Sequence, residues 1–270
     1  MAGTQRIVFL PDTQLPFEAR KEMQAVIRFI GDVQPYGVVH IGDVLDLPQP
    51  SRWNRGTKGE FEGSVYRDAD YAKKNLMEPL RKVYDGWIGM HEGNHDLRAR
   101  EYLAKNAPAL EGTHAFDIDV LLDFDGFGVE LLPDFYDIAP GWISTHGHMG
   151  KMTLSQIAGS TALNGAKKFG KSVVCGHTHR QAVVSHSFGY GGSVRKTVTG
   201  MEVGHLMDMK KANYLKGGAG NWQMGFGMLT VDGKHVKAEI VPILGGKFTV
   251  DGQVWEVTGA ANDENYAAAK

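Results

Sequence analysis

Short apolar runs alternate with stretches of helical spacing along the first half of the chain. Residues 6–10, 37–41 and 87–90 are compact apolar segments that end at Pro11-Asp12, Gly42-Asp43 and a Glu92-Gly93-Asn94-His95 turn. That pattern predicts strands buried on both faces. Between them, residues 17–30 place Met23, Val26, Ile27 and Ile30 on one helical face. Residues 67–84 predict a second helix, with Asp68 or Asp70 in its first turn, and 97–104 a short third one. A β-α-β-α-β order of this kind predicts mainly parallel strands with helices outside.

The second half changes character. Residues 129–132, 142–145 and 172–175 read as short strands, with one helix over 154–168. From residue 181 onward the pattern predicts mostly strands: 182–186, 193–199, 225–231, 236–241 and 247–250. Period-2 alternation is clearest in Val236-Lys237-Ala238-Glu239-Ile240. No repeat or linker interrupts the chain. The expectation is one domain over 1–258 and a small, polar, frayed tail over 259–270.

Composition narrows the class. With 42% hydrophobic and 22% charged residues the chain can bury a substantial core. Its net charge of −2 advertises neither nucleic acid nor membrane. Cys175 is the one cysteine, so no internal disulfide forms. There is no signal-peptide pattern at the start and no apolar run long enough to span a membrane. A cytoplasmic protein is expected. The 35 scattered glycines imply many tight turns.

Candidate chemistry lies at the ends of the predicted strands. Three end in Asp12-Thr13-Gln14, Gly42-Asp43-Val44-Leu45-Asp46 and Gly93-Asn94-His95-Asp96; two later ones in Thr145-His146-Gly147-His148 and Gly176-His177-Thr178-His179. In a mainly parallel sheet the carboxyl ends of the strands share one edge, where ligands bind. Singly, Asp12 or Asp43 reads as a turn residue or helix cap. In extended backbone His177 and His179, two apart, would face one site. Carboxylate, amide oxygen and imidazole together suit Mn, Fe, Zn or Ni. Two such ions about 3.5–4 Å apart can clamp a phosphoryl group. A shared ligand between two cations must be anionic, and Asp43 is the natural bridge.

These clusters resemble the calcineurin-like metallophosphoesterase superfamily, whose signature runs Asp-x-His, Gly-Asp-x-x-Asp, Gly-Asn-His-Asp/Glu, His-Gly and Gly-His-x-His. The match spans Asp12 to His179, in the same order. The resemblance implies an α/β fold of two packed mixed β-sheets flanked by helices, and hydrolysis of a phosphate ester by in-line attack of a metal-bridging hydroxide. It implies two divalent ions: Asp12, Gln14 and His179 on the first, Asn94, His146 and His177 on the second, and Asp43 on both. His95 would protonate the leaving oxygen or hold a phosphate oxygen, and Asp46 would orient it. Asp96 would be a helper; His148 would either support a ligand from behind or be exposed, and exposure is expected.

One departure stands out, since the first motif ends in Gln14 where the family has His. Either Gln14 binds through its amide oxygen, or the first ion is lost or held only with substrate. The retained Asp12, Asp43 and His179 favour binding. An oxygen in place of an imidazole favours Mn, with Fe, Zn, Ni and Mg as alternatives.

The substrate is expected to be a phosphodiester of a small, nucleotide-like molecule. Arg52 and Trp53, in a loop leaving Asp46, and Arg98 are candidate substrate contacts, although the loop reads equally as solvated surface. The long segment 200–227, with His205, Lys210, Lys211, Asn221 and Trp222, suggests a functional element. The alternatives are a nuclease, a phosphomonoesterase or protein phosphatase of the same superfamily, and a non-catalytic scaffold. A long nucleic acid is disfavoured by the charge, and a scaffold by the retained Asn94, His95, His177 and His179.

Overall fold

A computed structural model describes residues 3–212, 218 and 220–257. The expected tail, 259–270, lies outside them. Chain order gives β1 (Gln5–Leu10), α1 (Arg20–Val33), β2 (Gly37–His40), α2 (Lys58–Phe61), α3 (Val65–Ala72), α4 (Glu78–Val83), β3 (Trp87–His91) and α5 (Arg98–Asn106). The short helices α6 (Ile118–Leu121) and α7 (Phe124–Phe127) precede β4 (Val129–Leu132), β5 (Tyr136–Ala139), β6 (Trp142–Thr145), α8 (Ser160–Phe169) and β7 (Ser172–Cys175). Strands then dominate: β8 (Gln181–Tyr190), β9 (Ser193–Val203), β10 (Gly225–Asp232), β11 (His235–Pro242), β12 (Lys247–Val250) and β13 (Gln253–Glu256).

The strands form two large mixed sheets and a separate antiparallel β12-β13 pair. The first has the order β11-β10-β1-β2-β3-β4, and the second β5-β6-β7-β9-β8. Strands β1 to β4 run parallel, as do β6, β7 and β9; β5, β8, β10 and β11 pair antiparallel. Strand alternation sorts the core into layers. On β1, Ile7 and Phe9 point between the sheets with Val39, Val174, Met201 and Leu229. Val8 and Leu10 point the other way, onto α1 and the α3–α4 region. On the outer face of the second sheet, Val173, Cys175 and Val198 pack against Ala162 and Ala166 of α8. The expected α/β class, two packed mixed sheets flanked by helices, is observed. No helix among the described residues is long and apolar enough to cross a membrane.

Helix α8 can approach the sheet because Gly200 has no side chain; a Cβ there would lie 2.2 Å from the backbone nitrogen of Leu163. Several predicted elements shift. Helix α1 begins at Arg20 rather than residue 17, because 17–19 are pinned by main-chain bonds: Ala19 N–H to Leu206 O (2.6 Å) and Asp208 N–H to Phe17 O (2.8 Å). The helix expected over 67–84 is interrupted by a π-helical turn, Lys73–Met77. Pro79 has no N–H for the carbonyl of Asn75, and Gln24 Nε2 satisfies that carbonyl at 2.8 Å. The helix expected from 154 starts only at Ser160, after Gly159 at φ +82°. Strands β5 and β13 were not legible in the hydrophobic pattern; β5 is only partly buried and β13 is mostly exposed.

Candidate metal centre

The carboxyl ends of β1, β2, β3, β6 and β7 do converge. Their loops are tied by main-chain bonds, Gln14 N–H to Asp43 O (3.0 Å), Leu15 N–H to Val44 O (2.8 Å) and Asp46 N–H to Leu15 O (3.0 Å). Asp12 accepts the His177 N–H at 2.9 Å, which joins the first cluster to the last across 165 positions. Asp43 Oδ1 accepts the His95 N–H at 2.8 Å. That contact needs Gly93, since a Cβ there would fall 2.2 Å from both the nitrogen and Oδ1 of Asp43.

Gln14, Asp43, His177 and His179 all adopt left-handed backbone, with φ from 47° to 65°. Non-glycine residues in this region are uncommon and cluster where tertiary structure imposes them. The reason expected for the convergence of His177 and His179, alternation along an extended chain, is therefore corrected. Both rings are delivered by a tight turn, in which Thr178 N–H bonds Gly176 O at 2.7 Å. Thr178 Oγ1 donates to buried Glu202 Oε2 at 2.8 Å, while Glu202 Oε1 accepts the N–H groups of Thr161 and Ala162 at the start of α8. Glu202 anchors this turn, and no motif points to it.

Ligand atoms of Asp43, His146 and His177 lie within 4.8 Å of one another. His146 Nδ1 is 3.0 Å from Ile41 O, which fixes its proton there and leaves Nε2 facing Asn94 Oδ1 (3.2 Å) and Asp43 Oδ2 (3.4 Å). His179 Nε2 is 3.9 Å from Asp12 Oδ2 and 3.3 Å from the Gln14 amide. The amide's two ends are interchangeable by a flip. Gln14 Oε1 and His179 Nδ1 are buried without a hydrogen-bond partner among the described residues.

The electrostatics suit a cation. Burial pushes the Asp12 carboxyl up to about 8, while His146 and His95 outweigh burial at Asp43 and hold it well below its usual value. Burial opposes charge on His146, but Asp43 and Asp12 outweigh it and raise its pKa to about 9. Burial and His146 push His177 down to about 4, so this ring is neutral and able to ligate. Two buried carboxyls and three imidazoles at one edge, with the His177 ring neutral and donor atoms of Gln14 and His179 orphaned, are the chemistry of a site that fits divalent cations.

His95 stands beside this cluster. Its Nδ1 bonds Asp46 Oδ1 at 2.8 Å and its Nε2 meets Arg98 Nη2 at 3.0 Å. Arg98 also lies 3.5 Å from Asp46 Oδ1. Asp96 is fully buried, and its carboxylate accepts the N–H groups of Gly93 (2.8 Å), Leu45 (2.9 Å) and Val44 (3.3 Å). Arg52 and Trp53 are placed differently. The guanidinium lies 4.8 Å from the Trp53 ring centre, and Trp53 is 74% exposed, so the two cover each other on an open loop. His148, expected to be exposed, has both ring nitrogens buried and unpartnered, 5.2 Å from His146 between ring centres. The segment after β9 crosses the same edge: His205 pairs with Asp12, and Trp222 packs on His179 at 4.4 Å.

Fold and donor set together define an α/β sandwich carrying a candidate cation cluster at its strand ends. No protein-family model matches the chain. The Gene 54 protein of Mycobacterium phage L5 is 57% identical over 255 residues, which cover 94% of this chain and 100% of that protein; the Gene 54 protein of Mycobacterium phage D29 matches with the same figures. The chain belongs to this family of mycobacteriophage Gene 54 proteins. Among solved structures, Vps29 of Chaetomium thermophilum is similar with a TM-score of 0.49 at 12% identity, covering 94% of this chain and 100% of that one. Vps29 of Cryptosporidium parvum gives 0.46 at 14%, covering 93% and 94%, and the nuclease MPE of Pseudomonas putida 0.33 at 12%, covering 86% of each. At these scores and identities nothing about chemistry carries over to this chain.

Proposed function

We propose that this chain is a metal-dependent phosphoesterase that hydrolyses a phosphodiester in a small, nucleotide-like substrate. One observation carries the reading. Donor side chains from five separated segments, Asp12, Gln14, Asp43, Asn94, His146, His177 and His179, meet at one edge, beside a His95–Asp46 pair. Asp12, Gln14, Asp43 and His179 would hold one cation, and Asp43, Asn94, His146 and His177 a second. When bound, two such cations supply Lewis-acid charge for a phosphoryl oxygen and an activated water.

The remaining steps belong to the chain's own groups. Asp46 fixes the His95 proton on Nδ1 and orients the ring. Burial disfavours charge on His95, yet Asp43 and Asp46 outweigh it and hold its pKa above the ordinary value. That suits a ring able to give a proton from Nε2 to a leaving oxygen. Arg98, now against Nε2, is positioned to turn its guanidinium onto a phosphoryl oxygen and free that nitrogen. The oxygen-rich first site favours Mn.

The test is hydrolysis by metal-stripped protein of bis-p-nitrophenyl phosphate and p-nitrophenyl phosphate, with Mn, Zn, Ni or Mg restored and Asp43→Ala as control. Manganese-dependent cleavage of the diester, absent in Asp43→Ala, is the expected result. Protein that binds no metal and cleaves neither ester would overturn the reading.

A further inference from the structure

His205 lies outside the five clusters and is completely buried. Its Nδ1 is engaged by the backbone of Met207, 3.1 Å from the carbonyl oxygen and 3.2 Å from the nitrogen. Its Nε2 is buried with no hydrogen-bond partner among the described residues. Burying a polar atom without a partner is costly, so such an atom calls for an explanation.

Its neighbour suggests one. The His205 and His179 rings lie 5.5 Å apart between centres, at 32°, and Trp222 covers both, 5.8 Å from His205 and 4.4 Å from His179. His179 turns Nε2 toward Asp12 and Gln14, and its Nδ1 is the other orphan. A neutral imidazole that ligates through Nε2 carries its proton on Nδ1. Metal-ligating histidines almost always donate that second N–H to an acceptor, which fixes the ring and raises its basicity. Here neither a carboxylate nor a carbonyl oxygen accepts from His179 Nδ1 among the described residues. The backbone holds His205 in place for this task, because it pairs with Asp12 in a parallel bridge and Leu206 N–H bonds Asp12 O at 2.9 Å.

We propose that His205 is a positioning residue for His179. Its Nδ1–H donates to Met207 O, and its Nε2 accepts the Nδ1–H of His179 through one buried water. A water in such a place needs two to four polar partners, and the two orphaned ring nitrogens supply two of them. The arrangement strengthens His179 as a donor where the first motif offers an amide in place of an imidazole. The inference rests on reading Asp12, Gln14, Asp43 and His179 as a cation site.

The experiment is calorimetric Mn titration of the metal-stripped full chain, with bound metal counted by elemental analysis. Wild type is expected to bind two Mn ions. His205→Phe should weaken one of them about 10–100-fold and leave the other unchanged, and His205→Gln, which keeps an acceptor near the Nε2 position, should recover most of the loss. Equal affinities in wild type and His205→Phe would overturn the proposal while leaving the cation site standing. A wild type that binds no divalent cation would remove the site and the proposal together. Nitrogen-15 NMR of zinc-loaded wild type gives a test that needs no variant: a proton on His205 Nδ1 supports the proposal, and a proton on Nε2 sinks it.

Discussion

The Asp96 carboxylate accepts the backbone N–H of Leu45 at 2.9 Å, and so fastens the loop that carries Asp43 to the loop that carries Asn94 and His95. The same carboxylate holds Gly93 and Val44. Replacing Asp96 with Ala leaves three buried N–H groups short of an acceptor. The expected loss in unfolding free energy is about 2–3 kcal/mol, measured by urea denaturation of metal-stripped protein. A loss below about 0.5 kcal/mol, the range of an ordinary surface substitution, would show that the brace does not matter.

His95 and Arg98 separate chemistry from metal binding. His95→Ala should slow turnover about 10²–10⁴-fold with bound Mn unchanged, because its ring is held by Asp46 and Arg98 and its Nε2 stands 3.9 Å from Asp43 Oδ2. Arg98→Gln should lower kcat/KM roughly 10–100-fold, the worth of a charged hydrogen bond. Loss of bound metal in His95→Ala would make it structural or a ligand.

Gln14 governs metal choice. Gln14→Ala should weaken one Mn ion, and Gln14→His should shift preference from Mn toward Zn by replacing an oxygen with an imidazole. Competition binding with both metals reads this directly. Unchanged metal content and activity in Gln14→Ala would remove Gln14 from the site.

His40 gives the fold a pH dependence. The ring is completely buried, its Nδ1 accepting Gly42 N–H at 3.3 Å and its Nε2 3.0 Å from Thr13 Oγ1. Burial, and then His146, push its pKa down to about 3 from 6.5. The folded state thus keeps His40 neutral, while the unfolded chain takes up the proton first. The stabilisation is complete above the unfolded pKa and is lost as the pH falls below it toward the folded one. In metal-stripped His40→Gln, unfolding free energy should fall with acid less steeply than in wild type, by about 1 kcal/mol per pH unit. Parallel slopes would contradict this.

Much of the site was legible because its donors follow strand ends directly, where local pattern and spacing place them. Asp12, Asp43, Asn94 and His146 sit within a few residues of β1, β2, β3 and β6. The boundaries of α1 and α8 were misread for the opposite reason. Their starts are set by Leu206, Asp208 and Glu202, far away in the chain. Arg52 and Trp53, candidate substrate contacts by composition, stack on each other at an exposed loop, an arrangement that spacing along the chain does not encode.

The sequence by itself determined the order of most strands and helices and the placing of polar clusters at strand ends, since hydrophobic period and strand-end chemistry are local properties of a chain. Only the tertiary structure decided that Glu202 anchors the His177–His179 turn, that Arg98 rests on His95, and that His205 lies beside His179. Those relations depend on how two sheets and their loops pack. Packing brings together buried groups whose need for a partner leaves no trace in the spacing of residues along the chain.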